Sequence, residues 1–336
     1  MQIYQVDAFA GKVFQGNPAA VVPLSEWLPD ELMQRIAMEN NLSETAFFVP
    51  AEKGFSIRWF TPTVEVDLCG HATLATGHVL FAHLGYKGDA ILFHTRHAGD
   101  LQVLRGDGPG RYTLNFPETP PEAVDPAPMA ILFEGLHVAP SPMFKGPYDY
   151  LVVLDSRAEV EMLQPDFKKL STAPGRGIIV TAPGEEAGID FVSRGFFPQS
   201  GIDEDPVTGS AHSMLVPYWA SRLGKNRLSA IQLSARRGYL DCTLERGRVY
   251  MTGGAHTFLK GELMLGMERG ADGGGWKGEL MQAQPGFPAF WQSFHCATRT
   301  RMLSTKQVIQ RRICWGQCVF LGDLQGTQYG QKGADG

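Results

Sequence analysis

Apolar and polar positions along the chain predict short strands broken by glycine, proline and aspartate, with few helices between them. Residues 2–9 alternate and are rich in β-formers, so they read as a strand, followed by turns at Gly11 and at Gly16-Asn17-Pro18. Residues 19–24 read as a second strand. Residues 25–40 read as a surface helix, with Pro29-Asp30 near its start and Leu32, Ile36 and Met38 on its apolar face. Strands are predicted at 45–49 and 55–60. A tight Cys69-Gly70-His71 turn then leads into an apolar helix over 72–83. Residues 90–95, 99–104 and 111–116 read as successive antiparallel strands of a curved sheet or barrel.

A segment rich in Pro, Glu and Asp, residues 117–128, reads as a crossing between domains. Beyond it, strands are predicted at 148–155, 177–181, 189–194, 230–233, 239–244, 248–252 and 256–259, and a helix over 159–170 around Pro165. The first half then repeats in the second. Arg58-Trp-Phe-Thr-Pro62 matches Arg194-Gly-Phe-Phe-Pro198, and Cys69-Gly70-His71-Ala72 matches Thr208-Gly209-Ser210-Ala211. Leu84-Gly85 and Leu223-Gly224 follow at the same distance from each glycine. A period of about 140 residues is too long for a solenoid and fits a duplicated domain. The expected organisation is an N-terminal domain at 1–117, a similar C-terminal domain at 118–266, and an atypical, poorly ordered tail at 267–336. Within that tail, residues 302–313 read as a basic helix.

The composition narrows the function. With 43% apolar and 19% charged residues and a net charge of -5, the chain is an ordinary globular protein with no basic surface for nucleic acid or an anionic membrane. Five irregularly spaced cysteines do not make a disulfide framework and suit a reducing cytoplasm. The N-terminus has no signal-peptide pattern, and no apolar run reaches the length of a membrane span. A small-molecule protein is expected.

The candidate chemistry gathers around the two glycine turns. Gly70-His71 and Gly209-Ser210 each open a helix, where unpaired backbone N–H groups and the helix dipole hold anions. Two duplicated domains facing each other would aim both helix starts into one cleft around a substrate carboxylate. Glu44 sits just before an apolar strand, where burial raises a carboxyl pKa into the range for acid–base work. A neutral His71 can donate a hydrogen bond or relay a proton. Residues 203–208 read as an acidic loop before the second helix, with Asp205 or Thr208 as its N-cap. Cys69 at a helix start is a candidate base through a lowered thiol pKa. Its counterpart Thr208 rules out a symmetric two-thiol racemase, so Cys69 reads more readily as a buried turn residue. His71 and His78 lack zinc-site spacing, and no metal is expected.

Four motifs, Gly16-Asn-Pro-Ala-Ala-Val-Val22, Asn41-Leu-Ser-Glu-Thr-Ala-Phe47, Asp67-Leu-Cys-Gly-His-Ala-Thr73 and Asp203-Glu-Asp-Pro-Val-Thr-Gly-Ser-Ala211, resemble the PhzF-like phenazine-biosynthesis proteins. The similarity runs in order to about Glu262. It implies an α+β fold of the diaminopimelate epimerase kind, with two pseudo-symmetric domains, each an antiparallel barrel-like sheet around a central helix. It also implies a homodimer and no cofactor. Carried onto this sequence, the resemblance puts the catalytic acid/base on Glu44, with His71 and Asp205 beside it and substrate contacts at Gly70, Gly209 and Ser210. Cys69 lies where the true epimerases carry their first catalytic thiol, and the phenazine enzyme has none there. The expected function is a cofactor-independent isomerase or epimerase moving a proton on a small carboxylate. A non-catalytic metabolite binder of the same fold and a Cys69-assisted epimerase are the alternatives.

Overall fold

The computed structural model describes residues 1–265, together with the backbone of two short paired strands, Glu268–Arg269 and Trp276–Lys277. These residues belong to one compact unit, Met1–Glu279. The expectations of a poorly ordered tail at 267–336 and a basic helix at 302–313 otherwise lie outside the described residues.

The first half runs β1 (Gln2–Ala8), β2 (Asn17–Pro23), α1 (Asp30–Asn40), β3 (Glu44–Pro50), β4 (Phe55–Phe60), β5 (Glu65–Val66), α2 (Gly70–His78), β6 (Ala90–His94), β7 (Asp100–Arg105) and β8 (Arg111–Pro117). The second half runs β9 (Glu122–Val124), α3 (Ala130–Leu136), β10 (Met143–Lys145), β11 (Asp149–Val153), α4 (Arg157–Met162), α5 (Phe167–Leu170), β12 (Gly177–Pro183), β13 (Phe191–Phe197), β14 (Ile202–Asp205), α6 (Gly209–Leu223), β15 (Arg227–Gln232), β16 (Gly238–Glu245) and β17 (Arg248–Glu262).

The halves repeat in their pairing as well as in sequence. β2 lies parallel to β3 and β4 parallel to β6, and in the second half β11 lies parallel to β12 and β13 parallel to β15. The remaining neighbours are antiparallel. The last strand of each half crosses to the other. β17 pairs with β16 and β8 over its first part, then with β1 from Ala255 to Glu262. This closes β1, β2, β3, β4, β6, β7, β8 and β17 into a barrel. In the mirrored way, β9 follows directly on β8 and pairs with β10. Closure removes the open edges an antiparallel sheet would otherwise expose.

Every residue of α2 is buried, so this helix is the axis of the first barrel and needs no polar stripe. α6 is buried over most of its length, and one apolar core contains Leu74 and Val79 from the first helix with Leu215 and Trp219 from the second. Smaller cores lie beneath α1 and beneath α3, α4 and α5.

Several elements differ from the sequence reading. The helix expected over 25–40 begins at Asp30, because Pro29 forces Leu28 out of the helical region. The helix expected over 159–170 is two short helices. Ser156 caps α4 with a reciprocal Glu159 contact, Pro165 breaks the run, and Asp166 caps α5. Residues 203–205 are part of β14, paired with β13, rather than loop. The helix expected over 72–83 starts at Gly70 and continues past His78 as a π-helical turn, Val79–His83. The strands expected at 248–252 and 256–259 are one continuous strand.

Candidate active site

The repeated Arg-x-Phe-x-Pro motif sets the geometry of the site. Arg58 on β4 grips Glu65 on β5 with two parallel bonds of 2.7 Å and reaches Asp30 at 2.8 Å. Arg194 on β13 grips Glu204 on β14 in the same way, at 2.7 and 2.9 Å. A guanidinium fork fixes direction as well as distance, so each short strand is held where it delivers the next helix start. Those starts meet. A Cβ built on Gly70 would lie 3.4 Å from the Cα of Gly209, with Leu114 and Phe116 packed beneath. Two helix dipoles therefore converge at one point, which favours an anion there.

Three ionisable side chains reach this junction. Glu44, the first residue of β3, places Oε2 3.1 Å from His71 Nε2. The ring N–H is not aligned on that oxygen, and buried Oε2 has no aligned hydrogen-bond donor in the protein. Asp205, at the end of β14, accepts from Asn17 Nδ2 at 2.7 Å and from Thr208 Oγ1 at 2.6 Å. Burial pushes the Asp205 carboxyl up to about 6; His71 opposes, Glu44 adds, and the Thr208 and Asn17 bonds oppose. At His71, burial disfavours the charged ring, but Glu44 and then Asp205 outweigh it and raise its proton affinity.

Asn17 ties the two halves together. Its Nδ2 also lies 3.1 Å from His71 Nδ1 and 3.0 Å from the Val207 carbonyl. The turn before it requires glycine: Gly16 has φ +69, and a Cβ there would fall 2.1 Å from the Ala8 carbonyl oxygen. Arg236 of the second half braces this turn by donating to the Gly16 carbonyl and to Asp7.

A family model, described as phenazine biosynthesis-like protein, matches residues 6–261. The chain belongs to this family. An uncharacterized isomerase of Pseudomonas aeruginosa is 50% identical over 266 residues, covering 79% of this chain and 99% of its own. A crystal structure of a PhzF-family protein from Enterococcus faecalis is 45% identical, covers 79% of this chain and 99% of its own, and superposes with a TM-score of 0.74. A probable proline racemase from Agrobacterium radiobacter, at 10% identity and a TM-score of 0.55, shares the fold alone. The fold is thus the α+β epimerase-like one expected, and the class of the enzyme is isomerase.

In this PhzF-like chain the structure brings Glu44, Cys69, Gly70, His71, Asp205 and Gly209 together. Ser210 stands next to them on α6, and its Oγ accepts from Arg176 Nη2 at 3.0 Å. The same guanidinium is held by Asp149, with Nε 2.9 Å from Oδ1. The expectation that the helix start lowers the Cys69 thiol pKa is reversed. Burial pushes it well above the ordinary value, and the nearby Glu44 and Asp205 carboxylates add to the shift. The thiol lies 3.6 Å from His71 Nδ1, while its backbone carbonyl accepts from Thr73.

Sequence reasoning missed Asn17 and Arg176 as parts of the site. Asn17 lies in the Gly16-Asn-Pro-Ala-Ala-Val-Val22 motif, where the sequence alone reads it as a turn residue. Nothing in its spacing signals contact with residues 54 and 188 positions away.

Among the described residues, no helix is long and apolar enough to cross a membrane. Glu44, Cys69 and His71 place one donor atom each within 4.8 Å of one another, the only such set of three among the described residues.

Proposed function

We propose that this isomerase moves a proton on a small carboxylate-bearing metabolite, with Glu44 as general acid and base and no cofactor. The two halves, 1–117 and 118–266, each supply one helix start to the site. The observation that carries this reading is the buried Oε2 of Glu44, which has no aligned hydrogen-bond donor, beside the junction of Gly70 and Gly209.

Ionised Glu44 takes a proton from a carbon conjugated to the substrate carboxylate. The C–H electron pair moves into the carboxylate as an enolate, and N–H groups at the two helix starts hold the developing charge. Protonated Glu44 then returns the proton to a carbon, and the electrons leave the enolate. His71 and Asp205 orient the substrate, and Ser210, steadied by Arg176, adds a hydroxyl at the carboxylate end. Asp205 is engaged by Asn17 and Thr208, which leaves Glu44 as the one of these two carboxylates with an oxygen free of hydrogen bonds. A single such group suits a proton carried between two carbons, and Thr208 opposite Cys69 supplies no second thiol for inversion. The burial that keeps Cys69 protonated speaks against a thiolate base. The protein is proposed to work in the cytoplasm as a homodimer.

Deuterium incorporation from heavy water into a panel of small amino and hydroxy acids tests the mechanism. The wild type should label at least one of them, and Glu44→Gln should slow labelling by about 10²–10⁴-fold while still folding. Undiminished labelling by Glu44→Gln would overturn the role of Glu44. Saturable binding with no labelling would point to a non-catalytic binder instead.

A further inference from the structure

Asn17 is completely buried where the two halves meet, and its amide orientation is decided by its surroundings. The Val207 carbonyl, 3.0 Å from Nδ2, is an acceptor in every protonation state, and Asp205 Oδ1 lies at 2.7 Å. Turning the amide over would set oxygen against oxygen at both places. The amino group therefore faces His71 Nδ1, at 3.1 Å. The two hydrogens of this amino group are shared among three neighbours, and a protonated Nδ1 would set N–H against N–H. Nδ1 therefore keeps its lone pair, and the neutral ring's proton stays on Nε2, the nitrogen nearest Glu44.

The same proton placement decides what the cluster can bind. Nε2 lies 3.1 Å from Glu44 Oε2 and 4.0 Å from Cys69 Sγ. These spacings bracket the separations of about 3.3–3.6 Å in a tetrahedral zinc site with bonds of about 2.0–2.3 Å. A zinc-bound histidine, however, donates its other ring N–H to an acceptor. Here the atom facing Nδ1 is a donor, and Nε2 carries the proton a metal would have to displace.

We propose that Asn17 is a positioning residue that locks His71 as the Nε2–H tautomer. The lock opposes protonation of Nδ1 against the pull of the Glu44 and Asp205 carboxylates on the ring, so that an incoming proton goes to Glu44, and it keeps a zinc-like donor set as a proton-transfer site. Its part in catalysis rests on the acid–base reading of Glu44, whereas the tautomer itself does not.

Imidazole ¹⁵N–¹H correlation spectra of the full chain at neutral pH test this, with His71 assigned by its loss in His71→Gln. Wild-type His71 should show a protonated Nε2 and an unprotonated Nδ1, and Glu44→Gln should leave Nδ1 unprotonated whether or not it abolishes deuterium labelling. Asn17→Asp replaces the donor by an acceptor. It should move the proton to Nδ1 and tighten binding of Zn²⁺ alone by at least about tenfold. Should that variant not fold, Asn17→Leu removes the donor and should give a mixture of tautomers. A wild-type ring protonated at Nδ1, or wild-type zinc binding as tight as that of Asn17→Asp, would overturn the proposal.

Discussion

Gly70 and Gly209 approach so closely that a methyl group on either would lie 3.4 Å from the Cα of the other. The contact joins the starts of α2 and α6, and the two glycines differ in what lies around them. A Cβ on Gly70 also meets Leu114 at 3.2 Å and Phe116 at 3.4 Å, whereas one on Gly209 meets only Phe116, at 3.8 Å. Gly209→Ala should therefore change stability by no more than about 1 kcal/mol, the steric cost offset by better helix propensity. Its methyl group would still crowd the junction where the substrate carboxylate is proposed to sit. Labelling should fall by at least about tenfold while the urea midpoint stays near wild type. A variant as active as wild type would place the carboxylate elsewhere.

The thiol of Cys69 offers a contrasting case. It is buried and held protonated by its surroundings, so the reaction should not depend on it. Cys69→Ala is expected to keep labelling within a few-fold of wild type and to lose about 1–2 kcal/mol of stability through the small cavity left in the core. A loss of a hundredfold or more in labelling, measured on folded variant, would restore the thiol as a base.

Much of this arrangement was legible in the sequence because it depends on local pattern. The duplicated Arg58 and Arg194 motifs, with Gly70 and Gly209 following each, sufficed to predict two helix starts facing each other. Glu44, His71 and Asp205 were expected together, and the fold brings them together. What was not legible depends on contacts far apart in the chain. The passage of β17 from β16 to β1 reads in the sequence as a break at Gly253-Gly254, because the pairing that carries the strand across is made with partners far away in the chain. Asn17 carries its function in a side chain whose partners are set by the closed barrel, so it read as a turn residue. The short α3 and β10 have too few residues for a period to emerge.

Buried histidines make the fold sensitive to acid. His78, bonded to Tyr112 and Thr257, and His212, bonded to the Thr208 carbonyl, both have pKa values depressed to about 4, chiefly by burial. Unfolding restores them to about 6.5, so between those values the unfolded chain binds more protons and stability falls as pH drops. Asp205 acts in the opposite sense: raised from 3.8 to about 6, it takes up a proton in the folded state first, and its contribution weakens as pH rises through that range. Two histidines against one carboxyl leave a net loss on acidification, on the order of 1 kcal/mol per pH unit. Urea midpoints should rise between pH 4 and about 6.5, and His78→Gln should flatten the slope. A slope of opposite sign would mean that the histidines are charged in the folded protein.

The paired forks of Arg58 and Arg194 should be irreplaceable by lysine. Arg58 is almost wholly buried, stacks on Phe60 and Trp27, and serves Glu65 through two nitrogens and Asp30 through a third. Lysine keeps the charge but offers a single point donor, so one carboxylate oxygen and much of the stacking would lose their partner. Glu65 is partly exposed, and water would recover some of that loss. Arg58→Lys is expected to cost about 2–3 kcal/mol, and Arg194→Lys a similar amount through Glu204. The informative comparison is Glu65→Gln, which keeps the shape and one acceptor oxygen and should cost less than either. If the forks act mainly by aiming the helix starts, Arg58→Lys should also slow labelling per folded molecule, measured below its melting range. Stability lost with labelling intact would limit the motif to holding the fold, leaving the aim of the two helices to the glycine contact itself.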